Sequence, residues 1–363
     1  MATLTLGNRT EAALSKLTLN PDPDVKPDPN YKYSHLLPQF NKSLKLPPLE
    51  PFEHVDPGHA ALTDSDPQSF LKDAKIKLLS PNFGAEVEGV DLTKLDSRER
   101  SQLALYVAQR GVVVFRGNQR FIDADPEWQV RDWTTFFGRP HIHPVSGQPE
   151  GFPELHLVYR DESESLLKAL SSNRLSTRNV HSDVTYELQP PGLTALFLYA
   201  APPEGGADTI YFDQVEAYNR LSEPFKAFLE TLEAEHSGFE QAAFATARLG
   251  ADSVKRQPVK HVHPLVRTHP VTKRKALFVN PGFTKSIVGL KQEESDAVLK
   301  LLFDHIAQGH DFQIRAGWAP EGGDVTLWDN RVTAHSASES AGLSGRRHGA
   351  RLTPQAERPF LQK

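Results

Sequence analysis

The chain has 363 residues, of which 38% are hydrophobic, a formal net charge of -5 and no cysteine. The length suits one large domain or two ordinary ones, and the charge balance offers no basic surface for nucleic acid. No apolar run approaches the roughly 18 residues of a membrane span, no secretory signal is recognisable, and disulfides and cysteine-ligated metals are excluded. We therefore expect a cytoplasmic protein, with neither nucleic acid nor a membrane as partner, in which His, Asp or Glu holds any transition metal.

Residues 1-74 are predicted to form a proline-rich N-terminal arm. Ten of the 28 prolines lie before residue 70, and proline cannot donate to a regular ladder of backbone hydrogen bonds. Such a composition is typical of an extended or partly disordered segment that lies over a neighbouring surface. The remaining residues, 75-363, are assigned to one compact domain.

The compact part contains many short strands separated by turns. Apolar and alternating runs bounded by Gly, Pro or Asp predict strands over 76–79, 83–90, 112–115, 155–159, 193–200, 209–212, 277–279, 312–314 and 325–328. Helical periodicity and caps predict helices over 96–110, 128–137, 222–235 and 292–307. The polar stretch 161–178 is long enough for a loop over a site. This pattern favours a jelly roll or sandwich with helices packed outside.

A His-x-Asp pair, His181 and Asp183, is the first candidate for chemistry. In an extended strand these two residues point to the same face. A redox-active iron site of the facial-triad type needs two histidines and one carboxylate on one side of the metal. The best candidate for the distant histidine is His335, which follows the predicted strand over 325–328.

Two arginines near the C-terminus suit an anionic ligand. Arg347 and Arg351 are four residues apart, so that they face the same side if their segment is a strand. Guanidinium groups match carboxylates with two parallel hydrogen bonds, as a dicarboxylate cosubstrate requires. Thr209, after the sequence Gly-Gly-Ala-Asp, adds a hydroxyl at the start of another strand.

In this order and spacing, the motifs resemble the taurine dioxygenase family of iron(II)- and 2-oxoglutarate-dependent oxygenases. The resemblance runs from about Ile76 to Leu361 and leaves the arm uncovered. It rests on six stretches, 137–145, 181–185, 205–209, 280–284, 328–335 and 346–351. It implies a mostly β fold with flanking helices around a double-stranded β-helix (jelly-roll) core, and association into a homo-oligomer.

The resemblance also implies roles for individual residues. Fe(2+) would be bound by His181, Asp183 and His335. The distal carboxylate of the cosubstrate 2-oxoglutarate would be held by Thr209 and Arg347, and O2 would be the oxidant. The sulfonate pocket of the family maps to four positions: His143, the backbone amide of Val184, Phe283 and Arg351.

Two substrate-side positions depart from the family pattern. The taurine enzymes have a tyrosine where this chain has Ser146, and an asparagine where it has Thr177. These differences put taurine itself in doubt and leave the iron chemistry untouched. Arg351 still favours an anionic substrate group, because a buried guanidinium without a partner is costly.

The resemblance implies oxidation of a small anionic substrate, coupled to decarboxylation of 2-oxoglutarate to succinate and CO2. Hydroxylation of a sulfonate next to sulfur would release sulfite and an aldehyde. One alternative is the same chemistry on an amino acid or other small carboxylate, with hydroxylation, desaturation or cyclisation. A non-catalytic, ligand-binding jelly roll and a hydrolytic zinc enzyme are further alternatives.

Other polar residues are predicted to be structural. His261 and His263 share the i, i+2 spacing, but no carboxylate lies nearby in sequence, which favours a plain strand. His141 is expected to point away from His143. Asp329 and Arg331 are expected to brace the strand that leads to His335.

Overall fold

The computed structural model describes residues 25, 27–160, 179–203, 205–319, 322–338 and 345–362. The predicted loop over 161–178, which contains Thr177, lies outside the described residues. The strands are β1 (Lys75–Leu78), β2 (Ala85–Glu88), β3 (Val112–Arg116), β4 (Arg139–Pro140), β5 (His156–Arg160), β6 (Leu193–Ala200), β7 (Thr209–Asp213), β8 (Glu233–Ser237), β9 (Lys260–Pro264), β10 (Val266–Thr268), β11 (Lys275–Leu277), β12 (Thr284–Ile287), β13 (Gln313–Ala316), β14 (Val325–Asp329), β15 (Thr333–Ala337), β16 (Arg347–Leu352) and β17 (Pro354–Gln355).

The helices lie mainly outside these strands. They are α1 (Gly58–Ala61), α2 (Ser97–Arg110), α3 (Gln119–Ile122), α4 (Pro126–Trp128), α5 (Thr135–Phe137), α6 (Gln214–Asn219), α7 (Glu223–Leu229), α8 (Phe239–Leu249) and α9 (Gln292–Gln308). A π-helical segment, Gln129–Thr134, joins α4 to α5. In the described part of the chain, no helix is both long enough and apolar enough to cross a membrane.

Two facing sheets form the core. The larger has the strand order β1-β2-β3-β14-β6-β16-β5, and the smaller has the order β13-β7-β15. Their strands run antiparallel to their neighbours, except that β2 and β3 are parallel. Apolar side chains from both sheets meet between them, among them Val112, Trp328 and Tyr211. This architecture confirms the predicted mostly β fold with a jelly-roll core and flanking helices.

Strand β3 is buried on both of its faces, as its continuous apolar run predicts. Val112 and Val114 face the smaller sheet. Val113 and Phe115 point the other way, into a cluster that includes residues of α2. Helix α2 begins at a capping box between Asp96 and Glu99, and Gly111 at φ 71° ends it. Sequence and structure agree closely here, because local signals and burial favour the same elements.

The predicted helix over 222–235 is wrong in its second half. Helix α7 ends at Leu229, and β8 begins only four residues later at Glu233. Strand β8 pairs with β9 on one side and β12 on the other. Two ladders of backbone hydrogen bonds outweigh the helical preference of the segment, which is a tertiary effect that local periodicity does not report.

The described part of the arm is not uniformly extended, since it contains α1 and short 3₁₀ turns. It lies against the domain through buried side chains, including Tyr33, Leu36 and Phe70. Asp56 also forms a buried ion pair with Arg331 at 2.5 Å. The boundary between arm and domain at residue 75 stays a prediction, as does self-association.

Candidate active site

Two histidines lie directly opposite each other on adjacent backbone segments at the β15 edge of the smaller sheet. His335 lies on β15, and His181 forms an isolated antiparallel bridge with it. The two residues exchange both backbone hydrogen bonds, at 2.9 and 2.7 Å. Directly opposed residues place their side chains on the same face, and the two imidazole centroids are 4.4 Å apart. The backbone ladder therefore sets the spacing of the two rings.

Asp183 joins the histidines by a different route from the one predicted. The segment is not an extended strand beyond His181, since Asp183 opens a turn in which the Glu187 N–H donates to the Val184 carbonyl. Asp183 is held instead by Asn330, whose side chain accepts from its N–H at 2.7 Å and donates to its carbonyl at 3.1 Å. A distant amide thus replaces the strand as the positioning element.

The three side chains converge on one point. Asp183 Oδ1 lies 3.7 Å from His181 Nε2 and 3.6 Å from His335 Nε2, and all three candidate ligand atoms lie within 4.8 Å of one another. His181 Nδ1 lies 2.8 Å from the Asn179 carbonyl, so that Nε2 is the nitrogen on the side of Asp183.

The chemical state of these groups fits a metal ion. Both ring nitrogens of His335 and Oδ2 of Asp183 are buried without a hydrogen-bond partner among the described residues, a rare condition in proteins. Burial, with smaller effects of His181 and Arg351, lowers the pKa of His335 well below its ordinary value. A neutral imidazole is the form that binds metals.

A buried ionic cluster supports the β14–β15 turn beneath the site. Arg331 donates two hydrogen bonds to the Asp329 carboxylate, at 2.8 and 2.6 Å, and His269 Nε2 lies 2.9 Å from the same carboxylate. Burial alone would raise the pKa of Asp329, but Arg331 and His269 hold it well below its usual range. The predicted bracing role of Asp329 and Arg331 is confirmed.

Arg351 already has an anionic partner. Its Nη1 donates to Asp183 Oδ1 at 2.5 Å, and its guanidinium carbon lies 5.6 Å from the ring centre of Trp328. The Asp183 carboxylate therefore already supplies one anionic partner to this guanidinium, and the predicted contact of Arg351 with an anionic substrate group stays a prediction. The Nε of Arg351 is still buried without a partner among the described residues, which leaves one donor unsatisfied.

A chain of hydrogen bonds fixes the ring of His143. The backbone N–H groups of Val145 and Ser146 donate to His143 Nδ1 at 3.4 and 3.1 Å, so that a neutral ring carries its proton on Nε2. Ser146 Oγ lies 2.7 Å from this Nδ1 and 2.8 Å from His156 Nε2. The consistent direction is from the His156 N–H to Ser146, and from the Ser146 hydroxyl to His143.

Burial keeps these two histidines neutral. It lowers the pKa of His143 and that of His156 well below the ordinary value, with smaller contributions from nearby positive charges. The two rings stack with centroids 4.2 Å apart. Sequence reasoning missed His156, because its position on β5 becomes informative only when Ser146 is placed beside it.

Lys255 forms hydrogen bonds with the segment that contains Ser146 and Gln148. Its buried ammonium donates to the Ser146 carbonyl at 2.5 Å and to the Gln148 side chain. Burial, with a smaller effect of Arg256, lowers the pKa of Lys255 to about 7. This lysine was also missed from sequence, since nothing local marks it as buried.

A cavity of about 370 Å³ opens in front of these groups. Among the predicted substrate-side residues, the structure brings His143, Ser146, Val184, Phe283 and Arg351 to its wall. The lining also contains His181, Asp183, Val145 and His156, together with Gln241, Phe244, Ala245 and Leu249 of α8. Helix α8 was not predicted at all, although its alanine-rich sequence has high helix propensity.

Thr209 and Arg347 are buried but do not belong to the described lining of this cavity. Thr209 shares the inward face of β7 with Tyr211, and Arg347 shares a face of β16 with Arg351. Burial raises the pKa of Tyr211, and the charges of Arg351 and Arg347 partly offset that shift. The assignment of Thr209 and Arg347 to the cosubstrate stays a prediction.

The three other histidines singled out from the sequence have structural partners. His261 and His263 lie on β9, as predicted, with ring nitrogens 2.7 and 3.0 Å from the carbonyls of Tyr186 and Glu187. His141 is buried against the Glu187 carboxylate at 3.2 Å and does not belong to the described cavity lining.

Comparison with known proteins agrees with this geometry. The family model described as taurine catabolism dioxygenase TauD, TfdA family matches residues 75–353. The chain belongs to this family. Its enzymes use Fe(II), 2-oxoglutarate and O2, and the protein is an Fe(II)- and 2-oxoglutarate-dependent dioxygenase with a small-molecule substrate.

Individual relatives share this class of enzyme. An alpha-ketoglutarate-dependent sulfonate dioxygenase of Saccharomyces cerevisiae is 41% identical over 331 residues, covering 90% of this chain and 79% of the yeast protein. An alpha-ketoglutarate-dependent dioxygenase of Penicillium expansum is also 41% identical, over 90% of each chain. The crystal structure of a taurine dioxygenase from Burkholderia xenovorans has a TM-score of 0.64 at 33% identity, covering 79% of this chain and 92% of that one.

Proposed function

We propose that the protein is a sulfonate dioxygenase in which His181, Asp183 and His335 bind Fe(II). The observation that carries the proposal is the set of hydrogen-bond donors beside these residues. Arg351 lies against Asp183, and His143 presents its Nε2–H on the same cavity. The Val184 N–H donates to no described residue. Donors from three separate segments suit an anionic group with several acceptor oxygens.

Val184 has the backbone conformation of a functional position. Its φ is 40°, a left-handed conformation that a β-branched residue rarely adopts. Such strain costs on the order of 1–3 kcal/mol and persists only where surrounding structure imposes it. Here the Asn330 contact to Asp183 and the packing of Val184 on Tyr186 and Phe283 impose it. The conformation supports a role for the Val184 amide in binding the anion.

The proposed reaction follows from these positions. Fe(II) held by His181, Asp183 and His335 would supply O2 activation coupled to the decarboxylation of 2-oxoglutarate, whose distal carboxylate we assign to Thr209 and Arg347. Arg351, His143 and the Val184 amide orient the sulfonate, while Phe283 and Val184 cover it from water. Hydroxylation of the carbon next to sulfur is followed by C–S cleavage. The sulfonate, 2-oxoglutarate and O2 thus become an aldehyde, hydrogen sulfite, succinate and CO2.

A substrate panel tests the proposal. Taurine, alkylsulfonates, alkyl sulfates and amino acids are each incubated with the enzyme, Fe(II), 2-oxoglutarate and ascorbate. We expect sulfite and succinate to form in equal amounts with at least one sulfonate. Turnover of an amino acid, with no sulfite from any sulfonate, would replace this proposal by the small-carboxylate alternative. Turnover without oxygen would contradict the oxidative mechanism.

A further inference from the structure

Helix α8 forms one wall of the cavity and has no role in the metal site. Gln241, Phe244, Ala245 and Leu249 all line the cavity, and their spacings of three, four and eight residues place them on one face of the helix. The N-cap of the helix is Gly238, where an added Cβ would lie 3.0 Å from the Tyr186 ring. This close approach fixes the start of the helix beside the turn that carries Asp183.

The cavity is polar at one end and apolar at the other. Arg351, His143, Ser146 and the triad lie at the polar end. The wall contributed by α8 presents Phe244, Ala245 and Leu249, and Val145 and Phe283 add further apolar surface. A ligand that fills both ends must itself be amphiphilic, with an anionic head and an apolar body.

The described lining lacks a partner for a positively charged tail. Asp183 is its one carboxylate, and Asp183 is already engaged by Arg351 and faces both triad histidines. The side-chain oxygen of Gln241 accepts from the Tyr186 hydroxyl at 2.8 Å. An ammonium group placed along this wall would lose its hydration without a compensating charge.

Phe244 marks the mouth of the cavity. It is 68% exposed although it lines the cavity. Phe239, on the same helix, is 51% exposed but does not belong to the described lining. A hydrocarbon chain leaving the polar end along α8 would cover the Phe244 ring and not the Phe239 ring.

Resting on the proposed function, we propose that the substrate is a sulfonate with an unbranched apolar chain. The chain extends along α8, and Phe244 is the residue that selects for it. The anionic head alone does not distinguish an aminosulfonate from an alkylsulfonate. The distinction is made by the α8 wall, which removes apolar surface from water and whose described lining residues, Gln241, Phe244, Ala245 and Leu249, carry no charge.

The decisive comparison is between taurine and propane-1-sulfonate, which have the same chain length and differ in an ammonium against a methyl group. We expect propane-1-sulfonate to have the higher kcat/KM. Along the series ethane-, propane-, butane- and hexanesulfonate, kcat/KM should rise about fourfold per methylene, the equivalent of ~0.8 kcal/mol, until the chain passes Phe244. Calorimetric titration of the anaerobic enzyme with the same ligands should give the same order in Kd.

Three variants test whether Phe244 is the residue responsible. Phe244→Ala should flatten the chain-length series, whereas the matched control Phe239→Ala should keep the wild-type series. Phe244→Asp should lower the ratio of propane-1-sulfonate to taurine activity by supplying a counter-charge.

The inference would be overturned by equal kcat/KM values for taurine and propane-1-sulfonate. It would also be overturned if the two alanine variants gave identical chain-length series. In either case, sulfite release would still support the proposed function. Conversely, a chain-length preference seen with alkyl sulfates, without sulfite from any sulfonate, would overturn the proposed function and retain the apolar wall.

Discussion

The two sides of the active site are built in different ways. On the metal side, His181 and His335 lie on paired backbone, and Asp183 is fixed by the Asn330 side chain. On the substrate side, His143 belongs to an irregular segment held by side chains, and α8 packs outside the sheets. A reaction common to a family needs fixed ligand geometry, whereas substrate choice can change with loops and helices over the same scaffold. Substitutions on the two sides should therefore have different effects.

The largest effect is expected from the metal side. His181→Ala or Asp183→Ala should reduce succinate formation by at least about a thousandfold, because each removes one of three proposed ligands. The bound iron, measured by mass spectrometry of the desalted protein, should fall in parallel. The matched control is Ser182→Ala, since the Ser182 hydroxyl points away and donates to the Thr333 carbonyl at 2.7 Å. Full turnover by both ligand variants would show that the iron assignment is wrong.

The contrast between the sides also explains what sequence reasoning could reach. The spacing of His181 and Asp183, with His335 and the two arginines, was enough to predict the triad that the structure brings together. The expectation of an extended strand is wrong beyond His181, because Asp183 opens a turn and is held by Asn330. Hydrogen bonds between residues that are 147 positions apart leave no local periodicity to detect.

The substrate side was less predictable for a related reason. Ser146 was noticed only as a departure from the family pattern, and its partner His156 was not noticed. Helix α8 was missed because the apolar residues that it buries are Ala242 and Ala245, whose short side chains give a weaker apolar stripe than the one that normally reveals a helix packed on a core. Its two phenylalanines are exposed instead.

An intermediate effect is expected where a residue positions a ligand without being one. Asn330→Ala removes both hydrogen bonds to the Asp183 backbone and should weaken iron affinity by about ten- to a hundredfold. The Fe(II) concentration that gives half-maximal succinate formation should rise by this factor, and saturating Fe(II) should restore most of the rate. An unchanged iron dependence would mean that the turn holds Asp183 without help from Asn330.

A smaller effect, confined to the substrate, is expected at His156. His156→Phe removes the N–H that orients the Ser146 hydroxyl and, through it, the Nε2–H tautomer of His143. A weakened hydrogen bond to an anionic group predicts an increase in the KM for the sulfonate of about tenfold. The kcat and the KM for 2-oxoglutarate should change little. His156→Gln retains an N–H donor and should recover part of the loss. If the role of His156 were purely structural, kcat and the KM values for both the sulfonate and 2-oxoglutarate would change together.

The smallest effect concerns the stability of the substrate side and its dependence on pH. Lys255 has a pKa lowered by burial to about 7, against about 10.4 for an unfolded lysine. Between these values the unfolded chain binds the proton and the folded chain does not, so that this residue makes the free energy of unfolding rise with pH. The slope is at most about 1.4 kcal/mol per pH unit, so that the fold loses stability through this residue as the pH falls from about 10.4 toward 7.

Lys255→Met removes the titrating group, so that the free energy of unfolding of the wild type minus that of the variant should increase from pH 7.5 to 9.0 in urea titrations. A constant difference would show that the lysine ammonium is exposed to water in the folded protein. The Ser146 segment would then lack the buried hydrogen bonds from Lys255 that distinguish it from an ordinary loop.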